Sequence, residues 1–327
     1  LIHESWHLQI GADLPTGTDV TAVEQAPPMT PYGAPAVRPE TLRRRARARA
    51  RDAIRAFGQL TADLRALPDY LIIGTKRGGT TSLARWLLDH PDVRPLFPAR
   101  EHRKGTYYFD VNYGRGPSWY RSHFPTRAAH RLAGGRHGRP LLLGEATPYY
   151  LYHPHAPIRA RQLVPHAKVI ALLRHPVDRA YGHWAERFRH GVEPLGFEAA
   201  LDAERERLAG EEARMLADPA YVSFAHQHYS YVDQGRYARG LTRWMEAYPL
   251  RQLLVLRSED LYADPTAVYD TVLDFLGIGH HRTAELLGWN RVTKDDLDPA
   301  LRRRLHAELA PDIGAVEALL GRDMGWA

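Results

Sequence analysis

The sequence contains no cysteine, which excludes a disulfide framework and any thiolate metal site. Lysine is nearly absent too: it stands only at 76, 104, 168 and 294, so the other forty of the 44 basic residues are arginine. That bias points to a GC-rich genome more than to a function. No apolar run reaches the length needed to cross a membrane, and residues 1–30 lack the basic start and apolar core of a signal peptide. The expected place is therefore the cytoplasm. Basic residues are not interleaved with stacking aromatics on a recognisable module, so no nucleic-acid partner is expected.

What is present is a chain of 327 residues, 44% apolar and with a formal charge of +6. That is enough apolar content for a substantial core, and the charge suits an anionic ligand. Its organising stretch is Tyr70–Ser82, YLIIGTKRGGTTS. Leu71, Ile72 and Ile73 read as a strand covered on both faces. Lys76, Arg77, Gly78 and Gly79 form a basic, glycine-rich turn, and a helix begins near Thr80. Such a turn lets backbone amides approach an anion, and the helix N-terminus with Thr80, Thr81 and Ser82 adds donors and a positive dipole end. The spacing of Gly74 and Gly79 approaches that of the nucleoside-triphosphatase loop. A lysine directly after the second glycine is missing, because Thr80 stands there.

A second buried strand, Lys168–Leu173, runs into Arg174-His175-Pro176-Val177-Asp178-Arg179 and a helix. A strand-end arginine can hold a phosphate through two parallel hydrogen bonds. Together the two stretches resemble the 5′-phosphosulfate and 3′-phosphate motifs of the sulfotransferases that use 3′-phosphoadenosine 5′-phosphosulfate (PAPS). The resemblance extends over about residues 68–327 and is greatest to the carbohydrate branch, the heparan sulfate enzymes and their bacterial relatives. It implies that Lys76, Arg77, Gly78, Gly79, Thr80, Thr81 and Ser82 hold the sulfuryl end and Arg174 the 3′-phosphate. It further implies product 3′-phosphoadenosine 5′-phosphate (PAP), no metal, and a carbohydrate or small-molecule acceptor.

Three positions depart from that branch. In Lys104–Asp110, KGTYYFD, Gly105 replaces the glutamate that serves the family as general base. In Glu145–Tyr150, EATPYY, Ala146 replaces a lysine, and Gly182 replaces a phosphate-binding serine eight residues after Arg174. His183 and Tyr181 are the nearby side chains that could compensate for Gly182. The candidate bases are Glu145, at a strand end on the rim of a parallel sheet, with Asp110, His102 and Glu101. A structural ion pair is the competing reading for each. The helix of residues 197–215 is charged, and the rings around His226 and His228 suit sugar or aryl recognition, or an ordinary rim, better than zinc.

Strands alternating with helical patterns predict an α/β fold: one P-loop-like domain with a central parallel sheet of four or five strands flanked by helices. Residues 1–67 read as an extended arm followed by an arginine-rich helix, and 68–327 as the sulfotransferase domain. Residues 297–326 read as two helices. Two rival functions stay open. A small-molecule kinase would need a metal-binding carboxylate at a strand end, where Arg174 stands instead. A non-catalytic PAP- or PAPS-binding protein on the same fold is the other, prompted by the three departures.

Overall fold

The computed structural model describes residues 42–99, 103–134, 141–282 and 297–326. They belong to one unit, Glu40–Ala327; a second unit, Leu1–Pro39, lies outside the described residues, as do His102 and Glu101. Five parallel strands form the sheet among the described residues: β1 (Tyr70–Gly74), β2 (Val93–Arg94), β3 (Leu142–Ala146), β4 (Lys168–Leu173) and β5 (Leu253–Arg257). Their order is β2-β3-β1-β4-β5, with Leu71 opposite Glu145 on one side and Val169 on the other. Four of these strands are the apolar runs visible in the sequence. β2, only two residues long, carries no period that a sequence reading could detect.

Alternate residues of β1 enter different cores. Leu71 and Ile73 join one layer with Val169, Ala171 and Trp244, whereas Tyr70 and Ile72 join the other with Leu83, Trp86 and Val272. Both faces of the sheet are thus covered, which accounts for the continuous apolar spelling of the central strands. Because all strands run parallel, their carboxyl ends share one edge. β1 lies between β3 and β4 there, so the loop after β1 is flanked by the turns that begin at Thr147 and Arg174.

Two helices differ from expectation. The segment expected as two helices near the end is one, Pro299–Leu320, with Pro311 inside it. Leu305, Leu309, Ile313 and Val316 form a single buried stripe running past the proline. Burial of that stripe outweighs the one backbone hydrogen bond that Pro311 removes. The basic helix Leu42–Leu60 joins the domain through Arg55, whose Nη1 donates to the Ser122 carbonyl at 2.9 Å, and through the close approach of Gly58 to Ser122. Phe57 and Leu60 stay exposed.

Candidate active site

The turn after β1 is wound tightly. Arg77 takes φ 68° and Gly79 φ 90°, and the Gly78 amide donates to the Thr75 carbonyl at 3.0 Å. A Cβ on Gly78 would lie 2.8 Å from the Leu172 carbonyl oxygen, so the glycine is required by the approach of β4. Ser258 Oγ donates to the Gly78 carbonyl at 2.5 Å and fixes the turn from the end of β5. The helix Thr80–Leu88 then starts from Gly79. Its first amides have no partner within the helix and point, with the positive end of its dipole, into the turn.

Three cations gather over this helix start. Lys76 Nζ donates to the Gln227 carbonyl and lies 4.9 Å from the centre of the Tyr149 ring. Lys104 Nζ donates to Thr81 Oγ1 at 2.6 Å. Burial, followed by repulsion from Arg187, lowers the Lys76 ammonium to about 7 against the pull of Glu186. Burial lowers Lys104 to about 8, with Arg77 and Arg85 adding to the effect and Glu186 opposing it. Arg77 is lowered by burial as well, with Arg174 and Arg189 contributing. Cations that depress one another in a common space are what an anion would relieve.

The second grip meets the first here. Arg174 Nη1 donates to the carbonyl of Arg77 at 3.1 Å, although 97 residues separate them in sequence. The Arg174 carbonyl in turn accepts from Tyr237 at 2.7 Å, and the His175 amide donates to Glu259 at 2.9 Å. Gly182 lies alongside: a Cβ there would be 3.6 Å from both Arg174 Nη1 and Arg77 Cβ, so a larger side chain has room. The two candidate substitutes for the missing serine are turned elsewhere. His183 is fully buried, with no hydrogen bond to either ring nitrogen among the described residues, and the Tyr181 ring packs on Phe197 and Trp184. Arg179 is also buried, donating to the Tyr231 carbonyl.

The carboxylates are less accessible than the sequence suggested. Glu145, the best-placed candidate base by sequence, is 2% exposed. Its Oε2 accepts from the Thr106 amide and hydroxyl, both at 2.6 Å, and its Oε1 from Tyr120 at 2.9 Å and Tyr150 at 3.1 Å. Burial raises this carboxyl while the Thr106 bonds pull it down. Surrounded by these four donors and by the Thr147 hydroxyl, which donates to Oε2 at 3.4 Å, Glu145 is placed to hold the 104–110 loop rather than to meet an acceptor. Asp110 is buried too; its Oδ1 accepts from the Val111 amide at 2.5 Å, and burial, reinforced by Glu145 and opposed by Lys76, raises it to about 7.

Position 105 is closed in by the backbone at 146. A Cβ on Gly105 would lie 2.3 Å from the Ala146 carbonyl oxygen and 2.5 Å from Thr147 Oγ1. The Ala146 amide donates to the Lys104 carbonyl at 2.6 Å, so the two segments are tied together through their main chains. With no side chain at 105 the loops close on each other, and the closure leaves no space for one.

What remains open is a cleft of about 150 Å³ lined by Lys76, Arg77, Thr81, Lys104, Tyr107 and Glu186, among others. Tyr107, Glu186, Arg187 and Tyr262 are lining residues that the sequence reading did not select. The signal for Glu186 was available: it lies four residues after Gly182, on the same face of the helix Pro176–Arg189. A larger cavity of about 530 Å³ lies at Tyr152, Glu204 and Arg239. Arg239 there is paired with Glu212 at 2.5 Å, Arg236 with Glu308 at 2.7 Å and Arg304 with Glu198 at 3.7 Å, and Asp202, Glu204 and Asp233 line it as well, so it offers an anion less than the small cleft does. No cluster of three or more metal-ligating side chains occurs among the described residues.

Comparison with known proteins agrees with this geometry. Heparan sulfate glucosamine 3-O-sulfotransferase 3B1 of Homo sapiens is 28% identical over 284 residues, covering 80% of this chain and 65% of that protein. Bifunctional heparan sulfate N-deacetylase/N-sulfotransferase 3 of Homo sapiens is 32% identical over 227 residues, 68% of this chain but 24% of that protein. The chain thus spans less than two thirds of either relative. A solved sulfotransferase from Alicyclobacillus acidocaldarius superposes with a TM-score of 0.57 at 28% identity, covering 80% of this chain and 99% of that one. A family profile described as "Sulfotransferase domain" matches residues 67–287. With that match over more than half of its length, and with Arg174 meeting the turn after β1 at one helix start on the carboxyl edge of a parallel sheet, the chain belongs to the sulfotransferase domain family.

Proposed function

We propose that this chain transfers a sulfuryl group from PAPS to a hydroxyl of a carbohydrate-bearing acceptor: a glycan, a glycolipid or a glycosylated metabolite. The observation that carries this reading is the 3.1 Å bond from Arg174 to the Arg77 carbonyl, which brings the strand-end arginine to the turn after β1 and supports a single site for both ends of the donor. The residues fit the donor chemically. Amides at the start of Thr80–Leu88, with Lys76, Arg77 and Lys104, would hold its sulfuryl end, and Arg174 its 3′-phosphate. When bound, PAPS supplies an activated sulfuryl group whose leaving group is a phosphate. Arg77 and Lys104 would stabilise charge building on that phosphate oxygen, an electrostatic contribution independent of proton transfer. The relatives' names support a carbohydrate acceptor, and those named above include both an O- and an N-sulfotransferase.

Calorimetric titration with PAP, and separately with ATP and Mg²⁺, tests the proposal. PAP alone should bind, and at pH 8 its binding should take up protons, because Lys76 and Lys104 are lowered to about 7 and about 8 in the free protein. Affinity should then weaken as pH rises from 7 to 9, since the anion favours the protonated ammonium groups. Binding of ATP with Mg²⁺ and not of PAP would assign the chain to a kinase-like function instead.

A further inference from the structure

The closure of Gly105 against Ala146 removes the family's base, and Glu145 and Asp110 are sealed in the core. Among the described residues, the carboxylate that lines the cleft is Glu186. Its side chain is 27% exposed, open enough to meet an incoming molecule, and it forms an ion pair with the neighbouring Arg187 at 3.5 Å. It feels the charges of Lys76 and Arg77 in the turn after β1 and of Lys104 in the loop above. Tyr107 and Tyr262 line the same space. The helix Pro176–Arg189 presents Gly182 and Glu186 on one face, with Gly182 against Arg77 and Arg174. The adjacent face carries His183 into the core and directs Arg187 Nη1 to His228 Nδ1 at 3.0 Å.

We propose that Glu186 is the general base of sulfuryl transfer, taking over from the position that Gly105 has lost. The inference rests on the sulfotransferase reading above. In the step, the acceptor O–H bond breaks and its proton passes to the Glu186 carboxylate. The acceptor oxygen bonds to sulfur, and the bond from sulfur to the bridging oxygen of the 5′-phosphate breaks. Its electron pair leaves on the phosphate oxygen of PAP, next to Arg77 and Lys104. The proton on Glu186 is later released to solvent, so sulfate ester, PAP and one proton are the products.

The test uses the full chain with ³⁵S-labelled PAPS and two acceptors, water and a heparosan oligosaccharide. PAP affinity and melting temperature are measured on the same variants. Glu186→Gln should keep PAP affinity within about threefold, or tighten it by removing a negative charge, yet lose on the order of 100-fold in transfer rate. Glu186→Asp should recover part of the rate. Glu186→Gln that transfers within about threefold of the wild-type rate overturns the assignment. So does a wild type that binds PAP yet releases no sulfate or sulfated product above the spontaneous rate. A wild type that does not bind PAP overturns the donor reading itself, and the base assignment with it.

Discussion

The donor side and the acceptor side of the cleft are built from different material. On the proposed donor side the groups available to an anion are largely backbone amides and long cations: the turn at 75–79, the start of Thr80–Leu88, Arg77 and Arg174. On the acceptor side the family's pattern depends on single side chains, and two of them, at 105 and 146, are gone. Backbone donors survive a change of side chain, because the turn's shape rests on Gly78 and Gly79 and on the approach of β4. A side-chain base has no such insurance. On the proposed mechanism the site keeps an anion cradle while its proton-accepting group differs from the one the family resemblance implies.

The largest test of this contrast lies on the acceptor side. Gly105→Glu restores the family's residue but drives a Cβ to 2.3 Å from the Ala146 carbonyl. It should destabilise the fold by about 1–3 kcal/mol, read from thermal or urea melts. A variant that is as stable as the wild type would mean that the two loops are free to part. The donor side should behave in the opposite way. Arg77→Ala and Arg174→Ala should each weaken PAP binding by more than about tenfold, about 1.4 kcal/mol, in calorimetry, with little change in the melting temperature of the free protein. Unchanged PAP affinity in both would dissolve the donor site. The smallest effect sharpens the comparison at its boundary. A Cβ at position 182 would sit in ordinary van der Waals contact, 3.6 Å from Arg174 and Arg77, so Gly182→Ser should add a hydroxyl donor without strain. A gain of about threefold in PAP affinity is expected, within the roughly 0.5–1.5 kcal/mol of a single hydrogen bond.

Much of this was legible in the sequence, for reasons that hold residue by residue. Tyr70–Gly74 and Lys168–Leu173 advertise themselves because both faces are covered, so every position is apolar. Gly78, Gly79, Thr80 and Arg174 stand out because phosphate binding by a turn and a helix start is local chemistry. The failures are equally specific. Glu145 reads as a base since it ends a strand at the ligand edge, and nothing near it in sequence reveals that Thr106 and Tyr120 enclose it. The helix Pro299–Leu320 reads as two because Pro311 is a local breaker. Its unity depends on packing that spans 22 residues. His102, Glu101 and the arm lie outside the described residues.

The sequence by itself determined the α/β architecture, the central strands and the glycine-rich turn running into a helix start, because strand burial and turn chemistry are set by residues within a dozen positions of one another. Tertiary structure alone decided that Arg174 bonds the Arg77 carbonyl, that Gly105 and Ala146 close on each other, and that Glu186 faces the cations while Glu145 does not. Each of those depends on the parallel packing of β3, β1 and β4, which brings together groups that lie from about forty to more than a hundred residues apart in the chain.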